Sequence, residues 1–126
     1  MNTVAMGSEL QVTKMLELKK TTPGLNGKNI KVWSIKKDEH IRINLVEFEG
    51  KLDLHKHPDA SHSLMVLEGE VVAEVSGKKY TLTKGDFLSI PQGAPHGYES
   101  FAEKSTFVSM DAPYYDPKKT IRLKEV

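Results

Sequence analysis

Short runs of β-branched, aliphatic and aromatic residues, punctuated by Gly, Pro, Asp and Lys clusters, fill the chain from residue 30 to residue 110. Residues 30–35 and 41–48 read as two strands of a hairpin across the charged turn Lys36-Lys37-Asp38-Glu39. Residues 52–57 and 62–67 are expected to be partner strands across a turn at Pro58 and Asp59. On the second of these, His62, Leu64 and Val66 share one face while Ser63, Met65 and Leu67 share the other. Both faces are apolar past the first residue, so one is expected to face the interior and the other to meet a second layer, either the N-terminal arm or another subunit. Strands at 71–75, 80–83 and 87–90 follow, separated by the turns Ser76-Gly77-Lys78-Lys79 and Gly85-Asp86. A compact Pro91-to-Pro95 turn sets His96 at the start of the next strand, and 106–110 is the last firm strand, with 120–123 expected at an edge. At the other end, the mixed pattern at 12–20 fits a short helix or an edge strand, the strand being preferred, and 21–29 holds Pro23, Gly24, Asn26 and Gly27, which make a loop. Turn signals at this density predict an all-β barrel or sandwich. One domain results, with an arm and loop at 1–29 and a barrel at 30–126.

Length supports that reading, because a 126-residue chain buries about two-thirds of its unfolded surface. Charge narrows the partners. With 18 basic against 17 acidic residues and a net charge of +1, no basic stripe is present to hold nucleic acid. No apolar run approaches the ~20 residues of a spanning helix, and residues 1–11 lack the pattern of a secretory leader, so a cytoplasmic protein with no membrane partner is expected. The absence of cysteine removes disulfides and thiolate chemistry.

The candidate chemistry lies in the histidines. His55 and His57, two apart on a strand, point to the same side, which is a metal-ligand arrangement. His62 and His96 join them if the chain turns back after Pro58. His40 stands alone in a charged turn and reads as solvated. Tyr98 and Ser100 follow His96 at intervals of two and are candidate pocket residues, although Tyr98 also reads as core. Asp53 shares the face of His55, either as an acceptor for an imidazole N–H or as a solvated residue at a strand start. No Gly-rich phosphate loop and no Gly-x-Ser-x-Gly elbow occurs.

Gly50-x4-His55-x-His57-x4-His62-x6-Gly69 and Gly85-x5-Pro91-x-Gly93-x2-His96 resemble the two signature motifs of the cupin family. The departures are His62 where the family usually has Glu, Ser100 where it usually has Asn, and Gly50 one residue closer to His55 than usual. The resemblance implies a jelly-roll barrel (a double-stranded β-helix) with one divalent transition metal ion, Fe, Mn, Ni, Zn, Co or Cu, on His55, His57, His62 and His96. A three-histidine site with His62 turned aside is the alternative. Four neutral imidazoles leave the ion its full +2 charge, which favours an anionic substrate. The expected function is a metal-dependent enzyme of oxygenase type acting on a small anionic, oxygen-chelating substrate. The alternatives are a non-catalytic module that binds or senses a small molecule, and a metal-dependent isomerase. A homodimer is expected from the two-sided apolar strand.

Overall fold

The computed structural model describes residues 3–6, 10–56, 60–113 and 121–122. In chain order the elements are β1 (Thr3–Met6), β2 (Leu10–Thr13), α1 (Met15–Leu18), β3 (Leu25–Asn26), β4 (Ile30–Lys37), β5 (Arg42–Phe48), β6 (Lys51–Lys56) and β7 (Ser61–Glu68). They continue as β8 (Glu70–Val75), β9 (Lys78–Thr83), β10 (Phe87–Ile90), β11 (His96–Ser100), β12 (Ser105–Ala112) and β13 (Ile121–Arg122). One sheet has the order β10-β7-β12-β5-β4-β3 and another β13-β6-β11-β8-β9, while among the described residues β1 and β2 form a two-stranded sheet of their own. From β5 onward the chain passes repeatedly between the two sheets, and the result is a jelly-roll β-barrel.

That crossing corrects one expectation. β6 and β7 are not partners across their turn: β6 pairs with β11 and β13, and β7 with β10 and β12. Joining opposite sheets lets the inward faces of both strands close over one interior, which a flat hairpin could not do. The turn between β8 and β9 is also tighter than expected. Only Ser76 (φ 48) and Gly77 (φ 85) make it, both left-handed, as a two-residue hairpin turn that matches strand twist requires.

The interior is filled at one end by Val46, Phe48, Leu64, Val66 and Phe107 of the larger sheet against Val71, Ala73 and Tyr98 of the smaller. Phe48 and Phe107 meet edge to face with centroids 5.7 Å apart, and Tyr98 stands 5.4 Å from Phe107. Outside the larger sheet a smaller cluster forms. The strand expected at 12–20 stops at Thr13, and the chain makes one helical turn that lowers Leu18 onto Trp33 and Leu45, with Met15 and Leu67 beside them. Trp33 Nε1 donates to the Thr21 carbonyl at 2.9 Å, and Lys19 pairs with Glu47 at 2.9 Å, so the turn is tied down by polar contacts as well. The second layer over β7 is therefore supplied in part by the chain itself. It covers Leu67 but not Met65, which is 39% exposed beside its strand partner Phe87 at 61%.

Gly69, between β7 and β8, has φ +89, and a Cβ there would lie 2.3 Å from Ser105 Oγ and 2.9 Å from the Lys104 carbonyl. Gly69→Ala is expected to destabilise the barrel by about 3 kcal/mol, the sum of left-handed strain and overpacking. Gly50→Ala, at φ +68 with nothing within 4 Å, should cost about 1 kcal/mol from backbone strain alone. Denaturant midpoints of the two variants check this; equal losses would show that the Ser105 contact contributes nothing.

Candidate metal centre

The inward side chains of three strands lie in rows. On β12, Ser105 pairs with Phe48, Phe107 with Val46 on one side and Val66 on the other, Ser109 with Asn44 and Leu64, and Asp111 with Arg42 and His62. Toward the open end β5 finishes in Asn44 and Arg42, β7 in His62 and β12 in Ser109 and Asp111, so the rows nearest that end are the polar ones. On the opposite sheet Tyr98 pairs with Ala73 and Leu52, and His96 with Val75 and His55. The same gradient runs there, from Tyr98 in the core to histidines at the rim.

At this end His55, His62 and His96 come together from three strands. The His55 and His96 ring centroids are 4.4 Å apart at 63°, and those of His62 and His96 are 4.9 Å apart and stacked at 9°. Each Nδ1 faces an acceptor: the Asp53 carbonyl for His55 (2.8 Å), the Ala94 carbonyl for His96 (3.1 Å) and Asp111 Oδ1 for His62 (2.5 Å). Neither a carbonyl nor a carboxylate donates here, so in the neutral form of each ring the proton sits on Nδ1 and the lone pair on Nε2. This is the tautomer of an imidazole prepared to ligate through Nε2. Among the described residues, no group of three or more His, Cys, Asp or Glu side chains is closed on a point where an ion would sit. His57 lies outside the described residues. The donor chemistry of the three rings fits a borderline transition metal.

A cavity of about 360 Å³ opens beside the rings, lined among others by His55, His62, Tyr98, Arg42, Asn44 and Asp111. Arg42 Nε donates to the Asn44 amide oxygen at 3.2 Å, with the amide oriented so that its nitrogen donates to the Ile43 carbonyl at 3.2 Å. Asp111 is only 2% exposed. Tyr98 is buried, and among the described residues its hydroxyl has no hydrogen-bond partner. Burial, and then the nearby Asp111 carboxylate, push its phenol well above the usual range.

The remaining candidates fall elsewhere. Ser100 is not part of the cavity wall; its hydroxyl bonds Ser105 Oγ at 2.7 Å and the Ala102 carbonyl at 2.9 Å. Asp53 serves His55 through its backbone carbonyl. His40 is solvent-exposed beside Glu39. Asp111, Arg42, Asn44 and Ser109 were not singled out from the sequence. A signal existed for two of them, since Ser109 and Asp111 continue the inward alternation of Phe107, but β12 had been expected to end at Met110.

Residues 44–109 match the model of the Cupin_2 family, a cupin domain. Over 56 residues the chain is 36% identical to quercetin 2,3-dioxygenase of Bacillus subtilis, covering 44% of this chain and 17% of that enzyme. Over 69 residues it is 33% identical to an uncharacterised protein of Aquifex aeolicus, covering 55% of this chain and 57% of that one. The match thus spans a small part of the first relative and just over half of the second. Among solved structures, KdgF from Halomonas sp. has a TM-score of 0.73 at 20% identity, covering 79% of this chain and 93% of that one, which is a likeness of fold.

Removing a buried hydroxyl that has no partner relieves a desolvation penalty of about 1–3 kcal/mol. Tyr98→Phe is therefore expected to leave the melting temperature unchanged or raise it. A clear drop on thermal melting would show that the hydroxyl holds the barrel together and is not reserved for a ligand.

Proposed function

This chain belongs to the cupin family, and on that premise we propose that His55, His57, His62 and His96 hold one divalent transition metal ion in an oxygenase-type enzyme for a small anionic substrate that chelates through two oxygens. The observation that carries the reading is the common orientation of three imidazoles from three strands, each with Nδ1 donating to a fixed acceptor. The similarity to a dioxygenase over 56 residues supports the oxygenase class. A metal so held supplies Lewis-acid and redox chemistry to a bound substrate.

The protein's own residues do the rest. Asp111 keeps the His62 proton on Nδ1 and offsets positive charge at the pole. The Tyr98 hydroxyl, buried at the inner end, donates to a substrate oxygen, and the wall of Val46 and Phe107 excludes water from the substrate's apolar body. A second reading, ligand binding without turnover, is favoured by one observation. The buried carboxylate at the pole is already engaged by His62, which leaves proton transfer to the more exposed Asp53 or to Tyr98. Oxygen uptake by the iron- and manganese-loaded protein on catechols, diketones and hydroxy acids separates the two readings; tight binding without uptake for any redox metal would favour the module.

Calorimetric titration with zinc is expected to show His62→Ala and Asp111→Asn each weakening binding by about 10- to 100-fold, with His40→Ala unchanged. Parent-like affinity in His62→Ala would make this a three-histidine site. Parent-like affinity in Asp111→Asn would remove the positioning role.

Ligation requires neutral imidazoles, and a free imidazole titrates near pH 6.5, so protons and metal compete for the same nitrogens. The stabilisation by metal is fully present above that range and is lost as pH falls through it. At a free metal concentration one hundred times the dissociation constant it amounts to about 2.7 kcal/mol. Melting curves with metal and with chelator should be separated at pH 7.5 and should converge near pH 5. A gap that is absent at the higher pH, or undiminished at the lower, contradicts the site.

A further inference from the structure

Two hydroxyls line the cavity without a task in the fold. Tyr98 is only 4% exposed, and among the described residues its hydroxyl has no hydrogen-bond partner. Ser109 is 3% exposed and lines the same cavity, and among the described residues its Oγ likewise makes no hydrogen bond. They come from opposite sheets, Tyr98 from β11 and Ser109 from β12. Other buried hydroxyls, away from the cavity, are engaged: Ser105 Oγ meets Ser100 Oγ at 2.7 Å and the Glu70 carbonyl at 3.2 Å, and Thr106 accepts from Lys19 at 3.5 Å. Buried polar groups are as a rule satisfied, so two open ones in one cavity wall call for a partner from outside the chain.

The Tyr98 ring fixes the depth of this place. Its centroid lies 5.4 Å from that of Phe107, 5.8 Å from His96 and 6.3 Å from His62, so it stands between the aromatic core and the histidine pole. Ser109 follows Phe107 by one inward step along β12. A compound that reaches from the imidazoles to this depth spans about one small ring, and a cavity of about 360 Å³, near the lower limit for ligand pockets, admits little more.

Charge then selects the group that meets the hydroxyls. Tyr98 is level with Leu52 and Ala73, and Ser109 with Asn44 and Leu64, so both rows are uncharged. In the next row Arg42 and Asp111 are strand partners, and Asp111 is bonded to His62, so cation and anion there stand side by side. A carboxylate brought to the two hydroxyls would exchange its hydration for neutral donors next to the Asp111 carboxylate. An alcohol has no such cost. It accepts from one hydroxyl and donates to the other, since each of the two can serve in either role.

We propose that Tyr98 and Ser109 form a neutral hydroxyl-binding subsite, so that the ligand is a compact one-ring compound with its chelating oxygens at the histidine pole and an alcohol on its far side. This rests on the metal reading above for the chelating end. It adds Ser109 as a specificity-determining residue and gives Tyr98 the alcohol as its partner.

The experiment titrates the full-length, zinc-loaded chain with kojic acid, allomaltol and comenic acid. These hydroxypyranones share one pair of chelating oxygens and differ in a single substituent across the ring, which is hydroxymethyl, methyl and carboxylate in turn. Calorimetry is expected to show kojic acid binding about tenfold tighter than either of the others. Tyr98→Phe keeps the ring against Phe107 and removes one hydroxyl, and Ser109→Ala removes the other. Each should bring kojic acid to within about threefold of allomaltol by weakening kojic acid alone. Should one variant fail to fold, the other decides. Equal affinity of the parent for kojic acid and allomaltol, as when water alone fills the subsite, overturns the proposal. So does comenic acid binding as tightly as kojic acid, a preference unchanged in either variant, or no binding of any probe. Failure of the parent to bind zinc is a different result. It overturns the metal centre, and the comparison of kojic acid with allomaltol on the zinc-free chain then decides the subsite, with absence of binding counting against it.

Discussion

Strand β12 lies between β7 and β5 along nearly its whole length, so its register decides which side chains of three strands face the interior at the same depth. Side chains alternate with a period of two, and a slip of one residue would turn Phe107, Ser109 and Asp111 outward together. The aromatic contact of Phe107 with Phe48 and Tyr98 opposes such a slip at one end. At the other end the hydrogen bond from His62 to Asp111 does the same. The site is thus locked in place by the register that packs the core.

That arrangement separates stability from chemistry along the strands. Apolar burial is concentrated where Phe48, Val66, Val71 and Phe107 meet, and each such side chain contributes about 1.5–3 kcal/mol when fully removed from water. Charged and polar groups collect at the open end, where a buried Asp111 would be costly were it not hydrogen-bonded to His62 and next to Arg42. A barrel stabilised at its closed end can carry a strained or highly charged rim without losing its fold.

The three imidazoles are oriented by two different means. His55 and His96 donate to backbone carbonyls, acceptors that persist whatever side chains surround them. His62 donates to a side chain, so its orientation depends on Asp111 being present. This explains a pairing that its position in the motif does not suggest. A Glu at that position, as cupins usually have, needs no acceptor to fix a tautomer, whereas a His does, and Asp111 supplies one from a strand 49 residues further along the chain.

Local pattern was enough for the all-β class and for the alternation that sets His62, Leu64 and Val66 on one face, because strand periodicity is a property of short stretches; the approach of His55, His62 and His96 was expected only through the resemblance of the two motifs to a known family. The mixed pattern at 12–20 admitted a short helix beside the preferred strand but could not decide for it, since the four-residue helix α1 is held by Leu18 packing on Trp33 and Leu45 and not by its own propensity. Nor was the pairing of β6 and β7 with separate sheets, which depends on strands distant in the chain competing for the same edges. The polar residues of the cavity wall beside His62 lay beyond reach for the same reason. Arg42, Asn44, Ser109 and Asp111 are ordinary strand residues in the sequence, and they become one wall only when antiparallel registers between β5, β7 and β12 set residues dozens of positions apart side by side. Side-chain alternation is local and can be read from the chain; cross-strand juxtaposition is nonlocal and is decided by which edges pair.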